Sequence, residues 1–338
     1  MSKGFKKTCP ERKQKIVTIG GGTGSFVVLS GLKKYPVELS AVVAMTDDGG
    51  SSGILRDELG ILPPGDIRQC LVALSGEDLL LRKLFTYRFD NGTFRGHNFG
   101  NLFMAALEKI TGSFDRAVEK AGRVLNIMGE TIPVTLDRVW LRAELENNQI
   151  LKGEDEINRS KLLSQFKVKK LFVTPEAKVN PKAISAIKEA DLIVIGPGNL
   201  YCSVLPNFLI KGIPEAVRKS RAKIIYNCNL MTKLGHTDGF KVKDFVNTIE
   251  KYLGKGTIDY VIFNKKRPSP NFLKRYAEEG EEFVEFDKSV LKKKGVIAAN
   301  LINQKIYKRD SSEIFLKRTL IRHHPEKLAK IIIRILRI

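Results

Sequence analysis

The chain of 338 residues has only four cysteines, and no two of them stand close enough in sequence to form a C-x-x-C pair. A zinc knuckle or a redox motif is therefore not expected. Long apolar runs are also missing: stretches such as DLIVIG have the length of a strand, far short of the roughly 20 residues that span a membrane. The basic start of the chain lacks the apolar core of a signal peptide, so we expect a cytoplasmic protein without a transmembrane segment.

Acidic residues are too few to balance the basic ones. The 58 Lys and Arg residues against 37 Asp and Glu residues give a formal net charge of +21, and 43% of the residues are hydrophobic. This hydrophobic content excludes wholesale disorder. The basic excess suggests a nucleic acid or a membrane surface as partner. However, Lys and Glu are interleaved as on solvated helix faces, and no helix-turn-helix, RNP-like or zinc-finger pattern is present, which disfavours nucleic acid.

Strand and helix patterns alternate along the chain after a basic arm at residues 1–14. The run KIVTIG, a glycine turn, the helical FVVLSGLKKY and the strand VELSAVVAM make a βαβ unit, which is typical of a parallel sheet. At about residues 131–170 apolar and polar residues alternate around a turn at Glu146–Asn148, which predicts a small β-rich insertion. We therefore predict an α/β fold, a Rossmann-like three-layer sandwich with a mainly parallel sheet, forming a single domain over residues 15–338.

The C-terminal segment PEKLAKIIIRILRI carries apolar residues at helical spacing, among them Leu328 and Ile332. Basic residues lie off this stripe. The pattern predicts a terminal helix docked on the rest of the fold, with a helix lying on a membrane surface as the alternative.

A glycine turn follows the first predicted strand. Glycine lets the backbone approach a phosphate closely, and the following helix N-terminus offers free N–H groups. The turn departs from G-x-G-x-x-G because Ser25 holds the third glycine position, and it is not a Walker A loop. We predict that it binds an anionic ligand, the alternative being a turn that needs glycine only for its geometry. The residues are Gly20, Gly21, Gly22, Thr23 and Gly24.

An acidic loop, TDDGGSSG, follows the second predicted strand. An acid at this place in dinucleotide folds accepts hydrogen bonds from a ribose. Asp47 and Asp48 could also bind Mg²⁺, while Ser51 and Ser52 offer hydroxyls to a phosphate. The alternative is an Asx-type turn that leads into a helix.

Four further groups of polar residues stand at predicted loops. Asp66 and Arg68 stand at the start of a predicted helix and are candidates for ligand binding, the alternative being that Asp66 caps the helix with Arg68 in its first turn. GHNFGN offers donors suited to phosphate or ribose, or else to helix capping. Two loops follow strands, where open α/β sheets bind ligands. No nucleophile elbow or Ser-His-Asp pattern is recognisable. The candidates are His97, Asn98 and Asn101, then Gly196, Gly198 and Asn199, and then Asn229, Thr237 and Asp238.

Six ordered motifs resemble the bacterial gluconeogenesis factor family (YvcK-like), in the superfamily of the 2-phospho-L-lactate transferases (CofD-like). They are IGGGTG, TDDGGSSG, PPGDIRQCLVAL, GHNFGNLF, IGPGNLYCSVLPN and CNLMTKLGHTDG. The resemblance runs from about Lys15 to the C-terminus and implies a nucleotide-bearing ligand across the strand ends. For the gluconeogenesis branch it implies a UDP-sugar such as UDP-N-acetylglucosamine. It also implies a regulatory role, with a protein partner, that links carbon supply to cell-wall precursor synthesis and cell shape.

The same resemblance implies residue roles and an alternative reaction. Tyr276 and Arg322 fall in the family's C-terminal motifs, where the sugar nucleotide is implied to rest. In the transferase branch a phospholactyl group moves from a guanosine diphosphate carrier to a deazaflavin alcohol with Mg²⁺, which Asp48 would hold. Asn98 and Asn199 stand where serine is common, and His324 where aspartate is usual.

Three hypotheses remain open from the sequence. The first is a nucleotide-sugar-binding regulator, the second a Mg²⁺-dependent phospholactyl transferase, and the third a basic protein that binds nucleic acid or a membrane surface. The sequence does not decide whether the chain catalyses a reaction or forms a homo-oligomer.

Overall fold

The computed structural model describes residues 12–76, 79–287, 295–303 and 321–338, so most of the predicted arm at 1–14 lies outside the described residues. The strands are β1 (Lys15–Gly20), β2 (Glu38–Val43), β3 (Glu130–Pro133), β4 (Trp140–Leu145), β5 (Ile150–Lys152), β6 (Val168–Thr174), β7 (Leu192–Ile195), β8 (Lys223–Asn227), β9 (Tyr260–Asn264) and β10 (Val296–Ala299). The helices are α1 (Gly22–Leu32), α2 (Gly50–Leu59), α3 (Gly65–Leu74), α4 (Leu79–Thr86), α5 (Phe99–Thr111), α6 (Phe114–Val124), α7 (Glu154–Arg159), α8 (Pro181–Glu189), α9 (Leu205–Phe208), α10 (Ile213–Lys219), α11 (Val242–Leu253), α12 (Pro270–Glu278) and α13 (Pro325–Leu336). A 3₁₀ turn at Lys161–Ser164 and a π-helical turn at Leu200–Val204 complete the elements.

The main sheet has seven strands in the order β10-β9-β8-β7-β1-β2-β3, and every neighbouring pair is parallel. All four residues of β7 are fully buried. Successive side chains of a strand point to opposite faces, so both faces of the sheet must be covered. This confirms the predicted α/β sandwich with a mainly parallel sheet.

The β-rich insertion is a separate antiparallel sheet with strand order β5-β4-β6. Buried and half-buried residues alternate along β4, as expected for a sheet with one face towards a core. Its extent differs from the prediction, because β3 pairs with β2 in the main sheet and β6 continues to Thr174. Alternation along the chain does not reveal which sheet a short strand joins.

The terminal helix α13 is docked, as predicted, and packs against α1. Leu328 and Ile332 are fully buried. Gly31 of α1 permits the close approach, since a Cβ there would overlap the carbonyl oxygen of Pro325 at the start of α13. Among the described residues, no helix combines the length and the apolarity that crossing a membrane requires.

Candidate functional site

The two glycine loops meet at the carboxyl edge of the main sheet. Strands β1 and β7 are neighbours, and the chain turns from β1 towards β2 on one side and from β7 towards β8 on the other. A Cβ at Gly24 would overlap the carbonyl oxygen of Pro197, and a Cβ at Gly20 would lie 4.0 Å from the Cα of Gly196. Open α/β sheets bind ligands at such a reversal of strand order.

The first glycine loop leads directly into α1. Gly21 is the residue before the helix and offers no side chain as a cap, while Gly22 has a φ of 58° that favours glycine. One of its amides is already engaged, because the N–H of Gly22 donates to the carboxylate of Asp66. The hydroxyl of Thr23 lies 3.4 Å from Oε1 of Gln69.

The acidic loop after β2 lies against the insertion as well as the main sheet. Asp47 Oδ1 accepts the N–H of Gly49 at 3.1 Å, and its carboxylate also accepts the hydroxyl of Ser52. Asp48 Oδ1 accepts the N–H of Asp155 at 2.7 Å, at the start of α7. Burial raises the pKa of both Asp47 and Asp48.

Asp66 does not cap α3, which corrects the capping alternative. The helix begins at Gly65 after Pro64, so Asp66 lies inside its first turn and is free to face another element. Its carboxylate contacts the first glycine loop at Gly21 and Gly22. Burial, and after it the charge of Asp47, raises the pKa of Asp66 to about 7.

Glu154 joins this acid cluster (Asp47, Asp48, Asp66 and Glu154), and sequence reasoning missed it. It is the first residue of α7, and its Oε2 lies 3.4 Å from the hydroxyl of Thr46. Burial, followed by the charges of Asp47, Asp66 and Asp48, raises the pKa of Glu154 well above its usual value. The acidic run GEDE, which contains Glu154, is only a weak indication of a site, because the sequence does not show where the insertion docks on the rest of the fold.

The acid cluster does not form a ready-made magnesium site. Within the described part of the chain, no three His, Cys, Asp or Glu side chains are grouped so that they could hold a metal ion. Asp47, Asp48 and Asp66 each accept a backbone N–H instead. The role of Asp48 as a magnesium ligand, which the resemblance to the transferase branch implies, therefore stays a prediction, and we derive no step through a metal.

Ser51 connects the acidic loop to the predicted GHNFGN element. Its Oγ accepts the N–H of Asn98 and the Nδ2 of Asn101, both at 3.2 Å, and lies 3.4 Å from Nδ1 of His97. Asn98 caps α5, as its side chain accepts the N–H of Asn101. Arg68 is buried and donates to Asn101 Oδ1 at 2.8 Å. These residues lie together, but much of their hydrogen bonding is internal.

The second glycine loop is fixed to the insertion and to the loop after β8. Asn199 Oδ1 accepts the N–H of Cys202 at 3.3 Å, and its Nδ2 donates to Asn158 of α7 at 3.2 Å. Asn229 donates to the carbonyl of Gly198 at 2.8 Å. Hydrogen bonds therefore join the insertion to the loops that follow β7 and β8.

Thr237 and Asp238 stabilise the turn that follows β8. The hydroxyl of Thr237 accepts the N–H of Lys233 at 2.9 Å, and Asp238 accepts the N–H of Gly235 at 2.8 Å. His236 precedes them in the chain and is buried, with its Nε2 3.1 Å from the carbonyl of Ile157. Burial lowers the pKa of His236 to about 3, so its ring is neutral.

Tyr276 and Arg322 lie at the same edge of the sheet, beyond β8. Tyr276 is buried in an apolar cluster with Leu230 and Phe283, and its hydroxyl accepts the N–H of Ile321 at 2.8 Å. The segment that carries Arg322 is held to β8 by His323, whose Nε2 lies 3.1 Å from the carbonyl of Cys228.

Comparisons of the sequence and of the structure with known proteins agree with one another. The family described as 2-phospho-L-lactate transferase CofD matches residues 16–302. The gluconeogenesis factor of Bacillus subtilis is 40% identical over 328 residues, which covers 96% of this chain and 99% of the relative. That of Halalkalibacterium halodurans is 43% identical over 287 residues, covering 84% and 88%. The crystal structure of a member of the UPF0052 family from Bacillus halodurans superposes with a TM-score of 0.87 at 39% identity, covering 96% of this chain and all of that one.

Proposed function

The chain belongs to the gluconeogenesis factors within the CofD family, and on that premise we propose that it is a regulatory protein that binds a nucleotide sugar such as UDP-N-acetylglucosamine. The regulation links carbon supply to the synthesis of cell-wall precursors, and thereby to cell shape, through a protein partner in the cytoplasm. The name gluconeogenesis factor, which the matching relatives share, supports the link to carbon supply.

The observation that carries the proposal is the meeting of the two glycine loops between β1 and β7. Their backbones approach so closely that a ligand spanning the strand ends touches both. The N-terminus of α1 has no side-chain cap and adds the positive end of a helix dipole, next to the Gly22 N–H that already donates to Asp66. Such a place suits the diphosphate of a nucleotide sugar.

The position of Tyr276 and Arg322 fits a long ligand. A continuous path of contacts runs from Gly198 through Asn229 and Cys228 to the segment that carries Arg322. A diphosphate at the glycine loops would therefore direct its sugar or its base towards this second group of residues.

The transferase hypothesis gains no separate support. The family description names a transferase, yet the gluconeogenesis factors fall in the same family, so the family match does not separate the two functions. We therefore keep binding as the proposed activity.

Isothermal titration calorimetry with UDP-N-acetylglucosamine tests the proposal. Tyr276 is buried, so alanine there would open a cavity, and Tyr276→Phe is the better variant. We expect saturable binding to the unaltered protein and weaker binding to Tyr276→Phe and to Arg322→Met. Thermal unfolding must show that each variant is folded at the titration temperature, because Tyr276→Phe also removes the acceptor of the Ile321 N–H and lowers the thermal midpoint. A titration without heat for any UDP-sugar, in a protein shown to be folded, contradicts the proposal.

A further inference from the structure

Acidic side chains predominate in the proposed crevice, which is unfavourable for an anionic ligand. The acid cluster of Asp47, Asp48, Asp66 and Glu154 lies beside the first glycine loop. Two nearby arginines are committed within the protein: Arg68 donates to Asn101 and to the carbonyl of Phe85, and Arg56 is buried over the ring of Trp140, where its charge acts on Asp48 and Asp47. A phosphate entering this crevice therefore needs another cation.

Lys233 is the basic residue that contacts the network around the second glycine loop. It belongs to the loop after β8, and its Nζ donates to Oδ1 of Asn158, which also accepts Nδ2 of Asn199. The side chain thus bridges the loop after β8 and α7 next to the Gly196–Asn199 turn. Its backbone is fixed as well, because its N–H donates to Thr237 and its carbonyl accepts the N–H of His236.

The electrostatics agree with this placement. Burial is the main cause of the raised pKa of Cys202, but the charge of Glu154 raises this pKa further and the charge of Lys233 lowers it. The thiol of Cys202 is therefore within electrostatic reach of both Glu154 and the ammonium group of Lys233. No ion pair among the described residues includes Lys233, and the partner of its ammonium group there is the neutral amide of Asn158.

We propose that Lys233 binds the phosphate groups of a nucleoside diphosphate held between the two glycine loops. This inference rests on the proposed function and adds to it the residue that supplies the positive charge. An ammonium group has three donors, and the bond to Asn158 uses one of them. That bond also orders the side chain before the ligand arrives, which reduces the entropy lost on binding.

The test compares Lys233→Met with Lys255→Met in calorimetric titrations with UDP-N-acetylglucosamine. Lys255 is exposed in the turn before β9, at the opposite edge of the sheet, and its removal changes the net charge equally. We expect about tenfold weaker binding for Lys233→Met, the size of one charge-assisted hydrogen bond, and unchanged binding for Lys255→Met. Lys233→Arg keeps the charge and should restore most of the affinity.

Inorganic pyrophosphate serves as the second probe, because it lacks both base and sugar. It should compete with the nucleotide sugar on the unaltered protein and compete less well on Lys233→Met. Equal affinities for the unaltered protein and Lys233→Met would overturn the role of Lys233 and leave the proposed function intact. Loss of binding in Lys255→Met as well would also overturn it, since only net charge would then matter. If the unaltered protein binds no UDP-sugar, the proposed function itself fails.

Discussion

At the scale of single residues, Gly24 has the least room in the crevice. A Cβ there would overlap backbone atoms of Pro197 rather than a flexible side chain. Overpacking of this kind costs about 1–3 kcal/mol, so we predict that Gly24→Ala lowers the free energy of unfolding by that amount and weakens ligand binding. Urea denaturation and calorimetry measure the two effects.

Gly198→Ala is the matched control in the facing loop. A Cβ at Gly198 would meet Val204 at 3.4 Å, an ordinary contact distance. We expect its free energy of unfolding to change by less than about 1 kcal/mol. Equal stabilities for Gly24→Ala and the unaltered protein would contradict the close approach of the loops.

Asp66 makes the stability depend on pH. Its pKa is about 7 in the folded protein against an ordinary value of 3.8, so between these values the folded state binds the proton more tightly than the unfolded state. The contribution of Asp66 to stability is therefore present at acidic pH and is lost as the pH rises towards 7. We predict that Asp66→Asn reduces this fall, measured by urea denaturation between pH 4 and pH 8.

The exposed Asp90 provides the control for this measurement. Asp90→Asn should leave the pH dependence of the unaltered protein in place. If the free energy of unfolding of Asp66→Asn falls with pH as steeply as that of the unaltered protein, the result would contradict the burial of this carboxyl beside the glycine loop.

Residues of the candidate site could be predicted from the sequence where a glycine turn directly follows the end of a strand. Gly20–Gly24 and Asp47 follow strands directly, and the parallel order of the strands brings them to one edge. Glu154 and Lys233 could not be found in this way. Their positions depend on how the insertion and the loop after β8 close over the sheet, which is a matter of tertiary packing.

At the scale of secondary-structure elements, α13 closes one side of the sandwich. Ile332 is fully buried in the core, whereas Ile338 is 77% exposed just beyond the helix. We predict that Ile332→Ala lowers the free energy of unfolding by about 2–5 kcal/mol, as expected for a large-to-small change in a core. Ile338→Ala should change it by no more than about 0.5 kcal/mol. Similar losses for both variants, in urea denaturation, would contradict the docked helix.

The elements also show the limit of sequence patterns. The uniform burial of β7 and the alternation of β4 are visible as periodicity, so both sheets could be predicted. The sheet to which β3 belongs could not be predicted, because a strand of four residues with an apolar end fits either sheet. The length of a strand is set by the neighbour with which it pairs, and periodicity does not identify that neighbour.

At the scale of the whole molecule, the net charge of +21 does not by itself indicate a nucleic-acid interface, because no nucleic-acid-binding motif accompanies it in the sequence. Several lysines of the described surface are paired, for example Lys182 with Asp115 at 2.6 Å and Lys34 with Glu326 at 2.5 Å. We predict no saturable binding to a duplex DNA up to about 100 µM at physiological salt, where non-specific binders already show affinity. Fluorescence anisotropy over a salt series checks this, and a steep salt dependence would support the nucleic-acid hypothesis instead.

The central claim is that the glycine loops after β1 and β7 form one anion-binding crevice. A crystal structure with bound UDP-N-acetylglucosamine tests it most directly. We predict that the diphosphate lies between Gly20–Gly24 and Gly196–Asn199, with the Lys233 ammonium in contact and the rest of the ligand extending towards Arg322. A ligand bound at the opposite edge of the sheet, or one that leaves both glycine loops untouched, would contradict it.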